Sequence, residues 1–422
     1  MFIFTFYTLM AVFKNKIWLF VLFLVAIVFC FIEAKGKGDF YIFLSATGDL
    51  IKGENFYENK YVDGYHYFYS VLFALLLKPF YGLPFFWLKF AWLLLNTLIY
   101  FKLFYMLAKS KLVLLLKEKQ QTVFLFLVFL FSFRLFLDNM HSSQITLLIL
   151  WCCIYGLYLI VNNKPISGAA ILALGINIKL LPIVFLPYLI YRGYFKATAF
   201  TILFYLLYLF APSLFIGHDY SMSLLKTWLA LINPTNQAHV LDVEERSFHG
   251  LSTLLSTLLV KDVPDVYALP LKRNIADVSI STLGTILLVV RLTLASFTLY
   301  FLKWKLFIKA GSAWQRSIEI SYLLLLIPLI FPHQQHYAFL FAVPAFAIIL
   351  LYLMLNYGEI TNRVKLTVCT LLILIYLSVN LKLLLGAFNN YYDHYKILTY
   401  GVLLFIPLLV WVSNKTNRSI GL

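Results

Sequence analysis

The chain consists largely of apolar runs of roughly 15–25 residues that short polar clusters separate. Runs of this length can cross a bilayer as α-helices, whereas a transmembrane β-barrel shows segments of ~10 residues with alternating hydrophobicity. Hydrophobic residues make up 62% of the 422 positions and charged residues only 12%, which excludes a soluble globular protein. We therefore predict an all-α polytopic membrane protein with about eleven to thirteen membrane segments.

The basic residues predict how the chain is oriented in the membrane. Cytoplasmic loops of membrane proteins carry an excess of Lys and Arg, whereas the acidic residues here fall mainly in the other loops. The net charge of +16 therefore indicates contact with anionic lipid headgroups, and we expect no nucleic-acid partner. The clusters predicted to be cytoplasmic are Lys14/Lys16, Lys109 to Lys119, Arg192/Lys196, Lys303 to Arg316, Arg363/Lys365 and Lys415/Arg418.

Two loops on the opposite, extracytoplasmic side are long. In the first, residues 35–66, Asp39 precedes apolar residues at helical spacing and Gly53 follows them, which predicts an amphipathic helix in the membrane interface. The second, residues 217–279, is rich in charge and has an apolar patch near 251–260. We find no internal repeat and no soluble domain, so we expect one integral-membrane domain over residues 1–422.

The segments 168–178 and 180–191 are each too short to cross a bilayer, and both ends of the pair are basic. We interpret them as a hairpin that dips into the bilayer and breaks at Lys179 and Pro182. Irregular backbone at this depth requires cover by protein or a water-filled cavity. The segment 67–80 is also short, and its length is compatible with a crossing or with a re-entrant segment.

Few polar residues lie at the ends of the apolar runs, and these few lie on the side predicted to be extracytoplasmic. A polar group buried there costs free energy unless it is paired or takes part in chemistry. This distribution predicts a membrane-embedded active site. The candidate residues are Asp39, Asp138, Asn139, Gln144, Lys179, Asn236, Gln237, His333 and His336.

Several of these candidates also have a purely structural interpretation. Asp is favoured at helix N-caps, so Asp39 could cap the interfacial helix while its carboxylate still accepts a hydrogen bond from a substrate hydroxyl. The segment 138–144 could be a polar turn between two spans. Lys179 could extend to the cytoplasmic surface, or it could contact a phosphate within the cavity.

His333 and His336 are three residues apart, so they would share one face if this segment is helical. Two imidazoles without a nearby carboxylate make a weak metal site, so we predict hydrogen bonding or charge pairing to a phosphate. The four cysteines lie inside apolar runs and show neither disulfide nor metal-ligand spacing. We therefore expect neither a metal nor another cofactor.

Taken in order, these elements resemble glycosyltransferase family 87, the polyprenyl-phosphate-mannose-dependent mannosyltransferases. The resemblance spans most of the chain, although Ser143 and Thr146 replace the Gly and Asn of the family pattern. Five segments carry it: residues 39–41 with 53–57 (first loop), 138–144 (a Gly-Gln-x-Asn turn), 178–182 (Lys-x-x-Pro), 236–237 with 247–250 (outer loop) and 331–336 (a histidine element).

The resemblance implies a GT-C fold and transfer of a hexose, expected to be mannose, from a polyprenyl-phosphate donor to a hydroxyl of an extracytoplasmic glycolipid or glycan, with inversion. An inverting transfer needs a carboxylate base, which Asp39 would supply. Lys179, His333 and His336 would bind the donor phosphate. Asp138, Asn139, Gln144, Asn236 and Gln237 would bind the sugar or the acceptor. The implied location is the bacterial cytoplasmic membrane, in glycolipid biosynthesis for the cell envelope.

Two other classes of membrane protein share this general pattern. A transporter or flippase would place its polar groups near the bilayer midplane in matched halves, whereas most here lie at the ends of apolar runs. A lipid-linked glycan polymerase or ligase would group arginines in one large outer loop. The loop 217–279 holds only Arg246 and Arg273.

Overall fold

The structure is a computed structural model that describes residues 16–233, 237–243, 247–263, 265 and 268–419. Within these ranges the regular elements are helices, and the β-structure is limited to an isolated bridge between Phe248 and Gln335. The prediction of an all-α polytopic membrane protein is confirmed, because long apolar helices dominate the described chain.

The α-helices follow the apolar pattern closely. In chain order they are α1 (Lys16–Glu33), α2 (Asp39–Lys52), α3 (Val71–Leu77), α4 (Phe85–Ala108), α5 (Glu118–His141), α6 (Thr146–Val161), α7 (Pro165–Ile178), α8 (Phe185–Tyr191), α9 (Phe195–Phe210), α10 (Ser213–Ile216), α11 (His218–Leu231), α12 (Gln237–Leu241), α13 (Leu251–Leu259), α14 (Ile280–Phe301), α15 (Ala313–Ile330), α16 (Val343–Leu355), α17 (Asn362–Asn380), α18 (Asn389–His394), α19 (Ile397–Leu403) and α20 (Phe405–Ser419).

Eight helical segments of the described chain are long and apolar enough to cross a membrane. Shorter apolar helices accompany them, among them α3, α6, α7 and the segment Leu181–Tyr191. The eight are Phe85–Ala108, Glu118–His141, Phe195–Ile216, Ile280–Phe301, Ala313–Ile330, His336–Leu355, Asn362–Asn380 and Ile397–Thr416.

The chain divides into two compact units. The first contains the chain up to Lys109 together with Leu137–Asn233, and the second contains Ser110–Phe136 together with the chain from position 234 onward. In the second unit, Phe131 stacks on Phe346 with ring centroids 4.2 Å apart. This pair lies in a core that α15, α16 and the 3₁₀ helix His336–Ala342 supply.

The first long loop, residues 35–66, contains the predicted amphipathic helix, α2. Its apolar face, with Phe40, Phe43 and Leu50, is buried, and Gly53 ends it in the left-handed conformation at φ 79°. The residue at the N-cap position is Gly38, and Asp39 is the first helical residue. The interpretation of Asp39 as the N-cap is therefore wrong by one residue.

The predicted break between two short apolar segments is also present. Helix α7 begins at Pro165, as is usual for proline at a first helical position, and it ends at Ile178. Lys179 is extended at φ −147°, and a short 3₁₀ helix over Leu181–Val184 carries Pro182. The irregular backbone therefore lies where the sequence predicted it.

Helices α6 and α7 pack closely enough that their backbones touch. A β-carbon at Gly168 would lie 2.5 Å from the carbonyl oxygen of Gly156 and 2.9 Å from the backbone nitrogen of Ile160. Both atoms belong to the backbone, so neither can rotate away. Because α7 leads directly into Lys179, this contact also fixes where the lysine lies.

We expect Gly168→Ala to separate α6 from α7 and to lower the free energy of unfolding by about 1–3 kcal/mol, the usual cost of overpacking. Thermal unfolding of the purified protein in detergent measures the change. Gly284→Ala is the matched control, because a β-carbon there meets only Val240 side-chain carbons at 3.9 Å. Equal stability of the two variants would contradict the close approach of α6 and α7.

The two ends of α5 allow a direct test of the predicted orientation. Lys119 and His141 are both exposed, near opposite ends of this one apolar helix. In a background without the four native cysteines, an impermeant maleimide should label His141→Cys in intact cells and Lys119→Cys only after permeabilisation. Labelling of Lys119→Cys in intact cells would overturn the orientation derived from the basic clusters.

Candidate functional site

The segment 138–144 is helical for longer than the sequence indicated. Asp138, Asn139 and His141 belong to the last turn of α5, so only Ser142–Gln144 form a turn. The prediction of a seven-residue polar loop is therefore wrong, because the polar residues continue the backbone hydrogen bonding of the helix. Asp138 is half-buried there, whereas Asn139 is fully buried.

Helix α4 holds this turn in place. The indole of Trp92 donates a hydrogen bond to the carbonyl oxygen of Ser143 at 2.9 Å. The amide of Asn139 donates to the side-chain oxygen of Asn96 at 3.3 Å, and the backbone N–H of Gln144 donates to the carbonyl of Asn139 at 2.9 Å. The turn is consequently a fixed platform within the first unit.

Helix α2 begins directly on this platform. The backbone N–H of Asp39 donates to the carbonyl oxygen of Ser142 at 2.9 Å. The preceding Gly38 has φ 58°, and a β-carbon there would lie 2.9 Å from the hydroxyl oxygen of Ser143. Both the left-handed backbone and the close approach require glycine at this position.

Gln144 connects two candidate groups. Its amide nitrogen donates to carboxylate oxygen Oδ2 of Asp39, and its amide oxygen accepts a hydrogen bond of 3.0 Å from the hydroxyl of Tyr69. Only 1% of Gln144 is exposed, whereas Asp39 is half-buried. The carboxylate is therefore oriented by a buried amide whose own rotation is fixed by a tyrosine.

Lys179 completes this cluster. Its ammonium nitrogen lies 5.5 Å from the centre of the Tyr69 ring, and Asp39 attracts it electrostatically. The neighbouring Ser70 links the Tyr69 segment to the end of α7. Its hydroxyl donates a hydrogen bond to the side-chain oxygen of Asn177 at 3.0 Å, and its backbone N–H donates to the carbonyl oxygen of Ile178 at 3.2 Å. We call Asp39, Tyr69, Gln144 and Lys179 the carboxylate–lysine cluster.

The carboxylate–lysine cluster brings a carboxylate and an ammonium together around one tyrosine. An oriented carboxylate can accept a proton from a hydroxyl, and an ammonium can bind an anionic oxygen. A site with both groups can therefore act on a substrate that carries a hydroxyl and a phosphate.

A second cluster of titratable groups lies in the second unit, around Asp242. The hydroxyls of Ser252 and Thr253 donate to its oxygen Oδ2 at 2.8 and 2.9 Å. The other oxygen, Oδ1, lies 2.9 Å both from the backbone N–H of His333 and from the imidazole nitrogen Nδ1 of His333. The second imidazole nitrogen of His333, Nε2, lies 2.6 Å from Nδ1 of His239.

Asp242 is fully buried but remains ionised in this environment. Burial alone would raise the pKa of its carboxyl group. The positive charge of His333 and the hydrogen bonds from His333 and Ser252 outweigh burial, so the pKa lies below its ordinary value. The carboxylate therefore stabilises positive charge on His333.

His333 and His336 do not share a helix face, because the segment between them is not helical. His333 lies outside the helices with a left-handed backbone at φ 56°, whereas His336 begins the 3₁₀ helix His336–Ala342. Nitrogen Nε2 of His336 lies 3.1 Å from the hydroxyl of Tyr392, and its ring packs against His249. The two imidazoles thus belong to different hydrogen-bond networks of the same unit.

The last two sequence candidates are Asn236 and Gln237. Asn236 lies outside the described residues. Gln237 begins α12, but its side chain also lies outside the described part. Across the described residues, no three His, Cys, Asp or Glu side chains converge as ligands for a metal ion.

Three residues of these clusters were not among the sequence candidates: Tyr69, His239 and Asp242. Tyr69 belongs to a tyrosine-rich stretch in which nothing distinguishes it from its neighbours. Asp242 and His239 carried a weak signal, since both lie in the outer loop next to Asn236 and Gln237, but no spacing rule connects them to His333.

Comparison with models of protein families matches the chain to a known family. The family model of glycosyltransferase family 87 matches residues 67–306, more than half of the 422-residue chain. The matched region includes Gln144, Lys179 and Asp242, whereas Asp39 and His333 lie outside it. No curated protein and no solved structure matches the chain. The family match, with the long apolar helices, establishes that this chain belongs to glycosyltransferase family 87 and is a membrane glycosyltransferase.

Proposed function

We propose that the protein transfers a hexose, mannose in the first instance, from a polyprenyl-phosphate donor to a hydroxyl of a glycolipid or glycan, with inversion at the anomeric carbon. The reaction takes place on the extracytoplasmic face of a bacterial cytoplasmic membrane. The observation that carries this proposal is the carboxylate–lysine cluster, in which an oriented carboxylate and an ammonium lie around one tyrosine.

Asp39 is the catalytic base in this proposal. It takes the proton of the acceptor hydroxyl while the hexose passes through an oxocarbenium-like transition state. The hydrogen bond from Gln144 supports the assignment, because it fixes one carboxylate oxygen and so limits the rotation of the group. The docking of α2 on the turn Ser142–Gln144 fixes the backbone of Asp39 as well.

Lys179 stabilises the departing lipid phosphate. When the glycosidic C–O bond breaks, the bonding electrons remain on the phosphate oxygen, which becomes more negative. A nearby ammonium favours that state. The position of Lys179 between two short apolar helices supports this role, since a lipid-linked donor reaches the site from the membrane.

The other candidate residues are assigned to binding. Gln144 orients Asp39, and Asp138 and Asn139 lie next to the same turn, where we propose contacts with the sugar or acceptor. Asn236 and Gln237 remain in the same proposal on their sequence pattern. In the second unit, His333 and His336 are the proposed phosphate-binding groups, and the Asp242 carboxylate supports a positive charge on His333.

Asp39→Asn tests the assignment of the base. The asparagine oxygen can still accept the hydrogen bond from Gln144, so the protein should fold while transfer falls by ~10²–10⁴-fold, the usual contribution of a general base. The assay measures transfer of radiolabelled mannose from polyprenyl-phosphate-mannose to a membrane glycolipid extract.

Asp49→Asn is the matched control for this variant, because Asp49 lies in the same helix and binds Tyr61 and Asn59 instead. It should retain transfer. Activity of Asp39→Asn within a few-fold of the parent would remove Asp39 from the role of base, and Asp138→Asn would then be the variant to test.

Lys179→Ala tests the phosphate contact. Loss of a hydrogen bond to a charged group costs about 1–3 kcal/mol, so donor affinity should fall roughly 5- to 150-fold. Equilibrium binding of polyprenyl-phosphate-mannose measures this. Lys164→Ala is the control, since Lys164 is exposed at the other end of α7. Equal affinity of the two variants would contradict the contact.

A further inference from the structure

Arg291 is a charged residue within an apolar helix, α14 (Ile280–Phe301), which is long and apolar enough to cross a membrane. Its guanidinium keeps a positive charge in any protein environment, and lipid hydrocarbon offers it no hydrogen-bond acceptor. Charged side chains inside a membrane span are therefore rare, and they mark a partner or a functional site. The groups that accept hydrogen bonds from Arg291 thus indicate its role.

Two of the three guanidinium nitrogens of Arg291 have no such acceptor in the described part of the chain. Nε and Nη2 are both buried, and neither donates a hydrogen bond to any described residue. These two nitrogens lie on one edge of the planar guanidinium, so their N–H bonds point in the same direction. Such an edge matches two oxygens of a single carboxylate or phosphate group, which can accept both hydrogen bonds at once.

The carboxylate of Asp242 attracts Arg291 electrostatically but does not accept from this edge. Its oxygen Oδ2 already accepts from the hydroxyls of Ser252 and Thr253. Its oxygen Oδ1 lies 2.9 Å from the backbone nitrogen of His333 and 2.9 Å from the imidazole nitrogen Nδ1. A carboxylate has about four lone-pair sites, so these contacts occupy it. Asp242 therefore stabilises the charge of Arg291 and leaves Nε and Nη2 to another acceptor.

The charges around Asp242 favour an additional anion. Lys396 also acts on Asp242 electrostatically, and His333 contacts it directly. With Arg291, three basic groups thus act on one carboxylate. The other two carboxylates that act on Lys396 each have a cation of their own: Asp265 with Arg273, and Asp393 with Lys382. An anion bound at Arg291 would offset the repulsion among the basic groups.

The position of Arg291 allows a ligand to approach from the membrane. Leu288, Val289 and Leu292, on both sides of it in the sequence, are 56–57% exposed, whereas Leu287 is buried. Exposed apolar side chains in the middle of a membrane span contact lipid. Arg291 itself is partly exposed beside them. An anionic group carried by a lipid can therefore reach the guanidinium without crossing the core of the protein.

We propose that Arg291 binds the phosphate group of a membrane lipid through Nε and Nη2. A phosphate presents the two oxygens that this edge of the guanidinium requires, and its negative charge suits the basic groups around Asp242. The chain of the lipid lies along the exposed apolar side chains of α14. The choice of polyprenyl phosphate as the lipid rests on the proposed function, whereas the contact between Arg291 and a lipid phosphate does not.

The first test measures binding of polyprenyl phosphate without a sugar to the full-length protein, in detergent without phospholipid. Arg291→Gln removes the charge and the paired N–H donors, so affinity should fall roughly 10- to 100-fold. Arg291→Lys keeps the charge but has no paired edge, so affinity should fall by a smaller factor. Arg363→Gln is the matched control, because Arg363 is an exposed arginine at the start of α17, and it should bind as the parent does.

The second test observes the contact directly. With ¹⁵N-arginine in the protein and ³¹P in the lipid, solid-state NMR detects a dipolar coupling when a guanidinium nitrogen lies against the phosphorus. The parent should show this coupling, and Arg291→Lys should lose it. If Arg291→Gln fails to fold, Arg291→Lys still answers the question, since it keeps a positive charge for Asp242. An Arg291 that only balances Asp242 predicts no coupling in the parent and equal lipid affinity in Arg291→Lys. Either result would overturn the proposal.

Inorganic phosphate distinguishes a lipid-borne phosphate from a free ion. It should displace polyprenyl phosphate from the parent only at a far higher concentration, because it lacks the chain that lies along α14. Displacement at an equal concentration would overturn the assignment to a lipid. Mannose transfer by the parent tests the proposed function separately. A parent that binds polyprenyl phosphate through Arg291 but transfers no mannose would support the contact and contradict only the proposed function.

Discussion

The position of the Asp39 carboxylate depends on the docking of Gly38 against the turn Ser142–Gln144. In a chain this apolar, a buried polar group needs a hydrogen-bond partner. Here each partner is itself held by the next one along, and the contact between Gly38 and the turn is part of that sequence. Trp92 and Asn96 of α4 hold the turn, the turn holds the start of α2, and Gln144 then reaches the carboxylate of Asp39. Replacing any member would remove the hydrogen bond that positions the next group.

The two units stabilise charge in different ways. In the first, Lys179 lies over the face of Tyr69 and is attracted by Asp39 across the cluster. In the second, Asp242 is enclosed by hydroxyls and bonded directly to His333. The first arrangement suits groups that react, whereas the second suits a group that holds another in place. Membership of glycosyltransferase family 87 does not by itself distinguish these roles.

The apolar runs in the sequence, together with residues that end helices, predicted most of the fold. The apolar runs indicated the long helices, Gly53 marked the end of α2, and Lys179 with Pro182 marked the break after α7. These features depend on residues that are neighbours in the sequence, so local sequence patterns are sufficient to predict them. The polar end of α5 was misread as a loop because Asp, Asn and His are common in turns, whereas here the helix continues through them.

The candidate site was less predictable because its contacts join distant segments. Gln144 meets Tyr69 across 75 residues, and no local pattern connects them. His333 and His336 were paired by their spacing, yet the chain leaves helical geometry between them and directs each ring to a different network. Asp242 was overlooked for the same reason, since its importance arises only when His333 is brought beside it.

The left-handed backbone of His333 affects how its variants must be interpreted. This conformation costs an L-residue about 1–2 kcal/mol, and the hydrogen bond from its backbone N–H to Asp242 offsets part of that cost. An alanine at position 333 would lose the imidazole but keep the strain, so its effect would combine chemistry with conformation. Glycine adopts this backbone without penalty, and asparagine adopts it readily. These two residues therefore isolate what the imidazole contributes, whereas the customary alanine scan does not.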